Sequence, residues 1–526
     1  MKKWYFLFSA AGITLLLWYV ANTKKRKKNK SMYIPPYKTL APSITKINAL
    51  ITSQDYKFSL SNHRFDGQTV ALSKGDGEFL YSVSYPIVPG VQRHEEFRFP
   101  EDAFISLSAA NNILFITGQD ILVSGFKYDD ENMLKHATGK ITSLATVKGL
   151  SHFDNNYLRC IVPLREGDNF SLNDFAHKWY NHPHGKSADF LTVNVEDNKI
   201  DFFRYTTVEG NFICFDCHEP ALFKDFQKQC FSILLAYGFL KGRLIHDEAF
   251  FMVYKDIDMV EPLQVAYISM RGSIITQQPV FTTNAYGIHS DIEQDSSNAT
   301  GLGEQEWIRE LSNKLLYFPA DKFSNLVTLL YKNEKLQRSA LIYLQSHIAA
   351  LEVRLPNYYV ALEAITGHIA ENATASKNQF NPISDKKVAR KFIDEVLQLA
   401  KKTKSDYRMT DDEFNLNIIA KNIERLNAPP NADKLGDSFT KLGYMLSKEE
   451  KNLLKDRNRY LHGSFLKTVG HQEEFREALH VALRLHFMIA VLLLKLAGFS
   501  GYIINYAEAW SYMTGRQIGE DRLRYI

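Results

Sequence analysis

Two textures of hydrophobic patterning divide the chain. Between residues 55 and 289 apolar and polar positions tend to alternate. Phe79, Tyr81, Val83 and Tyr85 are interleaved with Leu80, Ser82 and Ser84, the period-two pattern of a half-buried strand. Residues 191–195 and 250–254 read as further strands between turn-forming clusters, and residues 223–240 as a helical interruption. This pattern predicts an antiparallel sheet or sandwich with inserted helices, with room for two subdomains. From residue 305 the period lengthens. Tyr358, Leu362, Ile365 and Ile369 fall at i, i+4, i+7 and i+11, and Leu479, Leu483, Phe487, Ala490 and Leu494 repeat the stripe, so residues 305–526 read as a helical domain. The apolar run 487–494 stops at Lys495 after eight residues. It is too short to span a bilayer and is expected as a buried core helix.

A polar stretch at 290–304 has the composition of an interdomain linker. Near the C-terminus, Ser447 followed three residues later by Glu450 is a capping-box start, and Gly463 is a natural stop. The expected element is one helix from about 448 to His462.

The N-terminus follows a different rule. Residues 4–21 carry no charge over 18 positions, with Trp4/Tyr5 and Trp18/Tyr19 at the two ends. That is close to the ~20 residues of a transmembrane helix with interfacial aromatics. A cleaved signal peptide fits less well, because the run is long and Tyr19 is bulky for the −3 position. Lys2 and Lys3 precede the segment, whereas Lys24, Lys25, Arg26, Lys27, Lys28 and Lys30 follow it. The heavier positive flank places the rest of the chain in the cytoplasm, as a single-pass protein of the inner or plasma membrane. Residues 1–23 are thus the expected anchor. Residues 24–54 are a basic flank and linker, broken at Pro35-Pro36 before a short amphipathic stretch.

Composition adds bounds. The chain has 526 residues, 45% apolar and 23% charged, with a net charge of +4. It is long enough for two or three folded domains and is not a polycation that coats nucleic acid. Four cysteines (Cys160, Cys214, Cys217, Cys230) are too few for a disulfide scaffold and fit a reducing compartment. The fold class expected is α+β and multidomain: a transmembrane helix, a β-rich middle region and an all-α C-terminal bundle.

The chemistry concentrates in Arg457-Asn458-Arg459-Tyr460-Leu461-His462. An arginine, a polar residue, three spacers and a histidine join a permanent cation to a side chain that exchanges protons near neutral pH. Cleaving RNA by its own 2′-hydroxyl needs a base, an acid and a cation for the phosphorane charge, and no metal. On a continuous helix, Asn458 and His462 would share one face, with Arg457 about 100° round from Asn458. The histidine would feel the negative helix end. Lys451, Lys455 and Arg459 add positive charge suited to a phosphate backbone.

Residues 446–463, which contain this motif, resemble the signature helix of the HEPN domains, a family of helical-bundle ribonucleases and toxins. Arg457, Asn458 and His462 fill the family motif without departure. Residues 358–365 resemble the first core helix, with Glu363 at its acidic position, and residues 491–501 resemble the last helix of the ApeA-like branch of antiphage defence proteins. The resemblance covers about 200 residues; over 55–289 it is architectural only, and the membrane segment departs from it. It implies a metal-independent endoribonuclease without a cofactor, acting as a homodimer whose paired bundles form one composite cleft. The products would be a 2′,3′-cyclic phosphate and a 5′-hydroxyl. Arg457 would hold the phosphate, His462 would shuttle the proton, Asn458 would orient substrate or histidine, and Glu363 would support the motif helix. The β-rich region would sense a trigger, for instance a phage component.

Other signals are weaker. Cys214-Phe-Asp-Cys217-His218 matches a c-type haem attachment pattern. The cytoplasmic topology and the opposed faces of residues i and i+3 in a strand argue for two buried or strand-edge thiols. A zinc site completed by His177, His182 and His184 is a further alternative, with His182 and His184 more simply part of a polar loop. Thr138-Gly139-Lys140 fails as a phosphate loop, since Leu134 replaces the first glycine and Ile141 the magnesium-binding hydroxyl. A non-catalytic reading also stands: a membrane-anchored protein whose bundle dimerises or binds RNA, though such a bundle has no need of His462.

Overall fold

The computed structural model describes residues 40–526 apart from 53, 62, 76–77, 87–98, 101, 110–111, 130, 166–167, 169, 173–174, 176–179, 183–184, 188, 209, 246–247, 271–301, 315–317, 348, 373–380, 428–430 and 462–471. The expected anchor, most of the basic flank, most of the 290–304 linker, His462 and Gly463 lie outside the described residues.

The alternating pattern produces one antiparallel sheet of 14 strands. From edge to edge its strands are Phe190–Val195, Asn198–Thr207, Gly210–Cys217, Tyr157–Pro163, Glu248–Tyr254, Gln264–Ser269, Leu144–Ala145, Asn112–Thr117, Phe104–Ala109, Gln54–Ser59, Thr69–Lys74, Phe79–Pro86, Leu134–Ile141 and Ile121–Asp129. In Phe79–Pro86 burial alternates residue by residue, as the phenylalanine, tyrosine and valine spacing requires. This strand pairs Tyr81 with Leu72 on one side and with Gly139 on the other. Gly139 has a steric reason: a Cβ there would fall on the Leu122 carbonyl oxygen and the Tyr81 ring. The phosphate-loop look-alike is therefore the middle of strand Leu134–Ile141.

The other end of the sheet is covered on both faces. All seven residues of Glu248–Tyr254 are buried, a continuous run rather than an alternation because helices pack on either side. Helix α1 (Ala41–Ile51), the amphipathic stretch of the sequence, is tied to one face by the Ser43 and Tyr254 hydroxyls at 2.6 Å. Beneath it Arg159 donates to both carboxylate oxygens of Asp216 at 2.6 and 2.8 Å, pairing two charges that burial would otherwise expel. Helix α2 (Phe223–Lys241) packs on the opposite face, where the Phe223 and Phe251 rings meet edge to face at 5.1 Å. The helical interruption thus forms as expected, one residue longer.

The C-terminal half is mostly helical, and the all-α expectation is corrected by a small two-stranded sheet of Tyr502–Ile504 and Leu523–Tyr525. Its longer helices are α3 (Leu302–Lys314), α4 (Ala320–Lys332), α5 (Glu334–Ser346), α6 (Leu351–Asn372), α7 (Lys386–Asp406), α8 (Leu416–Glu424), α9 (Asn431–Lys441), α10 (Lys448–Lys455), α11 (Arg457–Leu461) and α12 (Gln472–Leu496). Both α5 and α12 pack along α6. Tyr358, Leu362, Ile365 and Ile369, the stripe of α6, are all buried. The two halves are not independent. Helix α4 lies on the edge strand Phe190–Val195, where the Asn194 amide donates to the Ser324 hydroxyl at 3.1 Å. One hydrophobic core runs through both halves.

Among the described residues one helix, α12, is long and apolar enough to cross a membrane, and 83% of its apolar window is buried inside the protein. The expected core segment 487–494 is its buried C-terminal part. The buried stretch also takes in His480, Arg484 and His486, polar groups that need internal partners.

Candidate active site

The motif does not ride on one continuous helix. Helix α10 starts as the sequence predicts: the Ser447 hydroxyl accepts from the Glu450 amide at 3.3 Å, and the Glu450 carboxylate accepts from the Ser447 amide at 2.8 Å. It ends at Lys455. Asp456 takes φ −82° and ψ 4°, and α11 begins at Arg457. The expected helix from 448 to His462 is therefore two helices. In an unbroken helix the Leu453 carbonyl would accept from the Arg457 amide. Instead it accepts from the Tyr359 hydroxyl of α6 at 2.8 Å, and the Arg459 amide turns back to the Asp456 carbonyl at 2.9 Å.

The break turns Arg457 toward α6. Its Nε donates to Glu363, and its Nη1 donates to the Asn458 side-chain oxygen at 2.9 Å. Among the described residues its Nη2 has no partner. The Arg457 side chain keeps 20% of its exposure and Glu363 34%, so the cluster borders solvent. Arg457, Asn458 and Glu363 are thus brought together. His462 follows the last residue of α11 and lies outside the described residues.

The remaining expected residues divide. Lys451 and Lys455 are exposed one turn apart on α10, where cations can follow a phosphate backbone. Arg459 is not on their helix and its charge is engaged: Nη1 donates to Glu477 of α12 at 3.2 Å. The expectation that one helix carries all three charges is corrected accordingly, because α10 ends at Lys455 and Arg459 belongs to α11.

Sequence reasoning missed the groups that fix this geometry. Tyr359 stacks on Tyr460 with ring centroids 5.9 Å apart. The Tyr460 hydroxyl points to Glu477 at 3.5 Å, and its pKa is pushed up to about 12 by burial and then by that carboxylate. Behind α10 lies a buried ionic cluster. Arg484 of α12, wholly buried, donates to both oxygens of Glu520 at 2.6 and 2.7 Å and to the Ser447 hydroxyl at 3.1 Å. Arg524 reaches the buried Glu450 at 2.7 Å, and His480 reaches Glu449 at 3.0 Å. Burial would raise the Glu520 pKa, but the hydrogen bonds from Arg484 and the charges of Arg484 and Arg524 hold it at about 2. The cluster anchors the capping box of α10 to α12 and to the C-terminal segment. One sequence signal pointed to it: His480 and Arg484 stand one turn apart inside an apolar helix.

Elsewhere, Cys214 and Cys217 are both buried in strand Gly210–Cys217. The Cys217 sulfur accepts from the Leu158 amide at 2.9 Å, and burial pushes the Cys214 thiol up. They are the buried thiols expected. Among the described residues no group of three or more His, Cys, Asp or Glu side chains is placed to hold a metal ion. His177 and His184, and the side chain of His182, lie outside the described residues.

No protein-family model matches the chain, and no curated protein matches it. Among solved structures, a crystal structure of K. pneumonia MrkH is similar at 8% identity with a TM-score of 0.11, covering 37% of this chain and 90% of that one. A likeness at that level describes neither the fold nor the site.

Proposed function

We propose that the chain is a metal-independent endoribonuclease of the HEPN type, acting from a membrane anchor at residues 4–21 with its bulk in the cytoplasm. The observation that carries the reading is the state of Arg457. Two of its nitrogens are held by Glu363 and Asn458, while Nη2 is without a partner among the described residues and the side chain reaches solvent. An arginine fixed in this way offers a preorganised cation to a phosphate oxygen at little reorganisation cost.

In the reaction, the 2′-hydroxyl oxygen attacks the adjacent phosphorus as a base removes its proton. The phosphorane charge is met by Arg457. The P–O5′ bond then breaks as an acid protonates the leaving oxygen. His462 supplies the proton transfer, and a homodimer that pairs two bundles brings a second His462 for the opposite role. Lys451 and Lys455 follow the RNA backbone, and Glu363 and Asn458 hold the arginine. The setting proposed is bacterial antiphage defence, with the β-rich half as sensor; that part rests on the sensor-effector arrangement of the resembled branch.

Total RNA incubated with the protein in EDTA tests the reading. Fragments ending in 2′,3′-cyclic phosphate and 5′-hydroxyl are expected. RNA retained without cutting would instead fit a bundle that only binds or dimerises.

A further inference from the structure

The first turn of α1 stands against a hairpin loop. The loop, residues 255–263, joins strands Glu248–Tyr254 and Gln264–Ser269. One nitrogen of Arg159, Nη1, donates to the Ser43 hydroxyl of α1 at 3.2 Å and to the Met259 carbonyl of the loop at 3.4 Å. Leu40, through which the chain enters α1, and Met259 are both wholly buried. The chain that precedes α1 therefore joins the fold beside this loop.

The loop is a partly apolar surface whose charge is mostly of one sign. Ile257, Val260 and Leu263 are 45%, 46% and 52% exposed. Ile257 stands between the exposed acids Asp256 and Asp258, and Val260 precedes the exposed Glu261. Lys255 is the loop's one cation against these three, and among the described residues none of the three carboxylates is in an ion pair. The sequence ahead of α1 has the opposite composition. Lys24, Lys25, Arg26, Lys27, Lys28 and Lys30 are followed by Met32, Tyr33, Ile34 and Tyr37, and no acid occurs before Asp55. The basic run thus has no carboxylate of its own to pair with.

Reach and linkage favour this segment as the occupant. Lys30 stands ten positions before Leu40, a span of roughly 33–36 Å when extended, which is ample for a loop that lies next to the first turn of α1. Covalent linkage also presents the segment to the loop at an effective concentration on the order of millimolar. Other occupants fit less well. Anionic lipid and RNA are repelled by the three carboxylates. A neutral bilayer could take up Ile257 and Val260 only by burying Asp258 between them. A second copy of the loop would bring like charges together.

We infer that residues 24–39 dock on the 255–263 loop, the basic run on Asp256, Asp258 and Glu261 and the apolar residues that follow it on Ile257, Val260 and Leu263. The docking stands apart from the ribonuclease reading. With the anchor proposed at residues 4–21, it holds the body of the protein close to the membrane instead of leaving it at the end of a free linker.

The full chain with Asn29→Cys and Val260→Cys, in a neutral detergent, is treated with a short bismaleimide. The four native thiols are buried, so linkage is confined to the introduced pair. Asn29→Cys with Val208→Cys is the reference, because Val208 is exposed and the strand pairing of Tyr254 with Tyr157 and of Phe212 with Pro163 puts its turn at the other end of the strands. Linked monomer is expected to form about tenfold faster at 260 than at 208. That advantage is expected to shrink in about 1 M salt and to vanish when Asp256→Asn, Asp258→Asn and Glu261→Gln are combined. Equal rates for the two pairs overturn the inference, as does a preference for 260 that survives the loss of the three carboxylates. Linked dimers in place of linked monomers overturn it too, since they put the segment on a second copy.

Discussion

Tyr359 donates its hydroxyl proton to the carbonyl of Leu453, a residue 94 positions further along the chain. The carbonyl it meets is the one that an unbroken helix would offer to the Arg457 amide, at the step where α10 gives way to α11.

Tyr359→Phe returns that carbonyl to the helix. The hydrogen bond lost is worth about 1 kcal/mol, and the Arg457 amide can recover part of it. A small drop in melting temperature is therefore expected beside a larger drop in RNA cleavage. Cleavage at the wild-type rate would show that the break has no bearing on the site.

Glu363 acts as a positioning residue for Arg457. Its carboxylate is 34% exposed, so Glu363→Gln is expected to leave stability nearly unchanged. A misplaced arginine is expected to lower kcat by about 10- to 100-fold with little change in KM, because the proposed backbone contacts of Lys451 and Lys455 are left in place. An equal loss of kcat in a protein with a much lower melting temperature would instead assign Glu363 a purely structural part.

The buried ionic cluster is the most vulnerable point of the helical half. Arg484→Met keeps the volume of the side chain but removes one of the two cations that Glu450 and Glu520 share, leaving Arg524 alone between them. Removing one partner of a buried pair costs about 3–5 kcal/mol, readable as a lower denaturant midpoint. A change within experimental scatter would mean that the carboxylates are satisfied without Arg484.

A second buried pair makes stability depend on pH. His347 and His486 stack with centroids 5.0 Å apart. Burial, and then the charge of Arg354, lowers His347 from 6.5 to about 3. Burial, followed by His347 and Arg354, holds His486 well below 6.5. With the folded pKa depressed, the unfolded chain takes up protons that the folded chain refuses. Stability is thus complete above about pH 6.5 and drains as pH falls toward 3, by about 1.4 kcal/mol per pH unit for each histidine. In His486→Phe the slope of melting temperature against pH in this window is expected to become shallower; an unchanged slope would place the acid sensitivity elsewhere.

The patterning made most elements legible. Phe79–Pro86, α2, α6 and the capped start of α10 all follow from local spacing, because each is decided within a few turns or pleats. The joining of so many strands into one sheet was not legible, since the register between distant strands leaves no local trace. At the site, the grouping of Arg457 and Asn458 with Glu363 could be expected from the motif and its resemblance. The interruption at Asp456 could not, because the Tyr359 hydroxyl that meets the Leu453 carbonyl there comes from another helix. Arg459 looked like a phosphate contact for the same reason: nothing near it in sequence shows that Glu477 claims its charge.

The most direct test compares the wild-type chain with Arg457→Ala and His462→Ala on total RNA in EDTA, reading fragment end groups and confirming each fold by circular dichroism. The account predicts cyclic-phosphate and 5′-hydroxyl ends from the wild type and a loss of at least about 100-fold in rate in each folded variant. Cutting at the wild-type rate with both side chains replaced would contradict it.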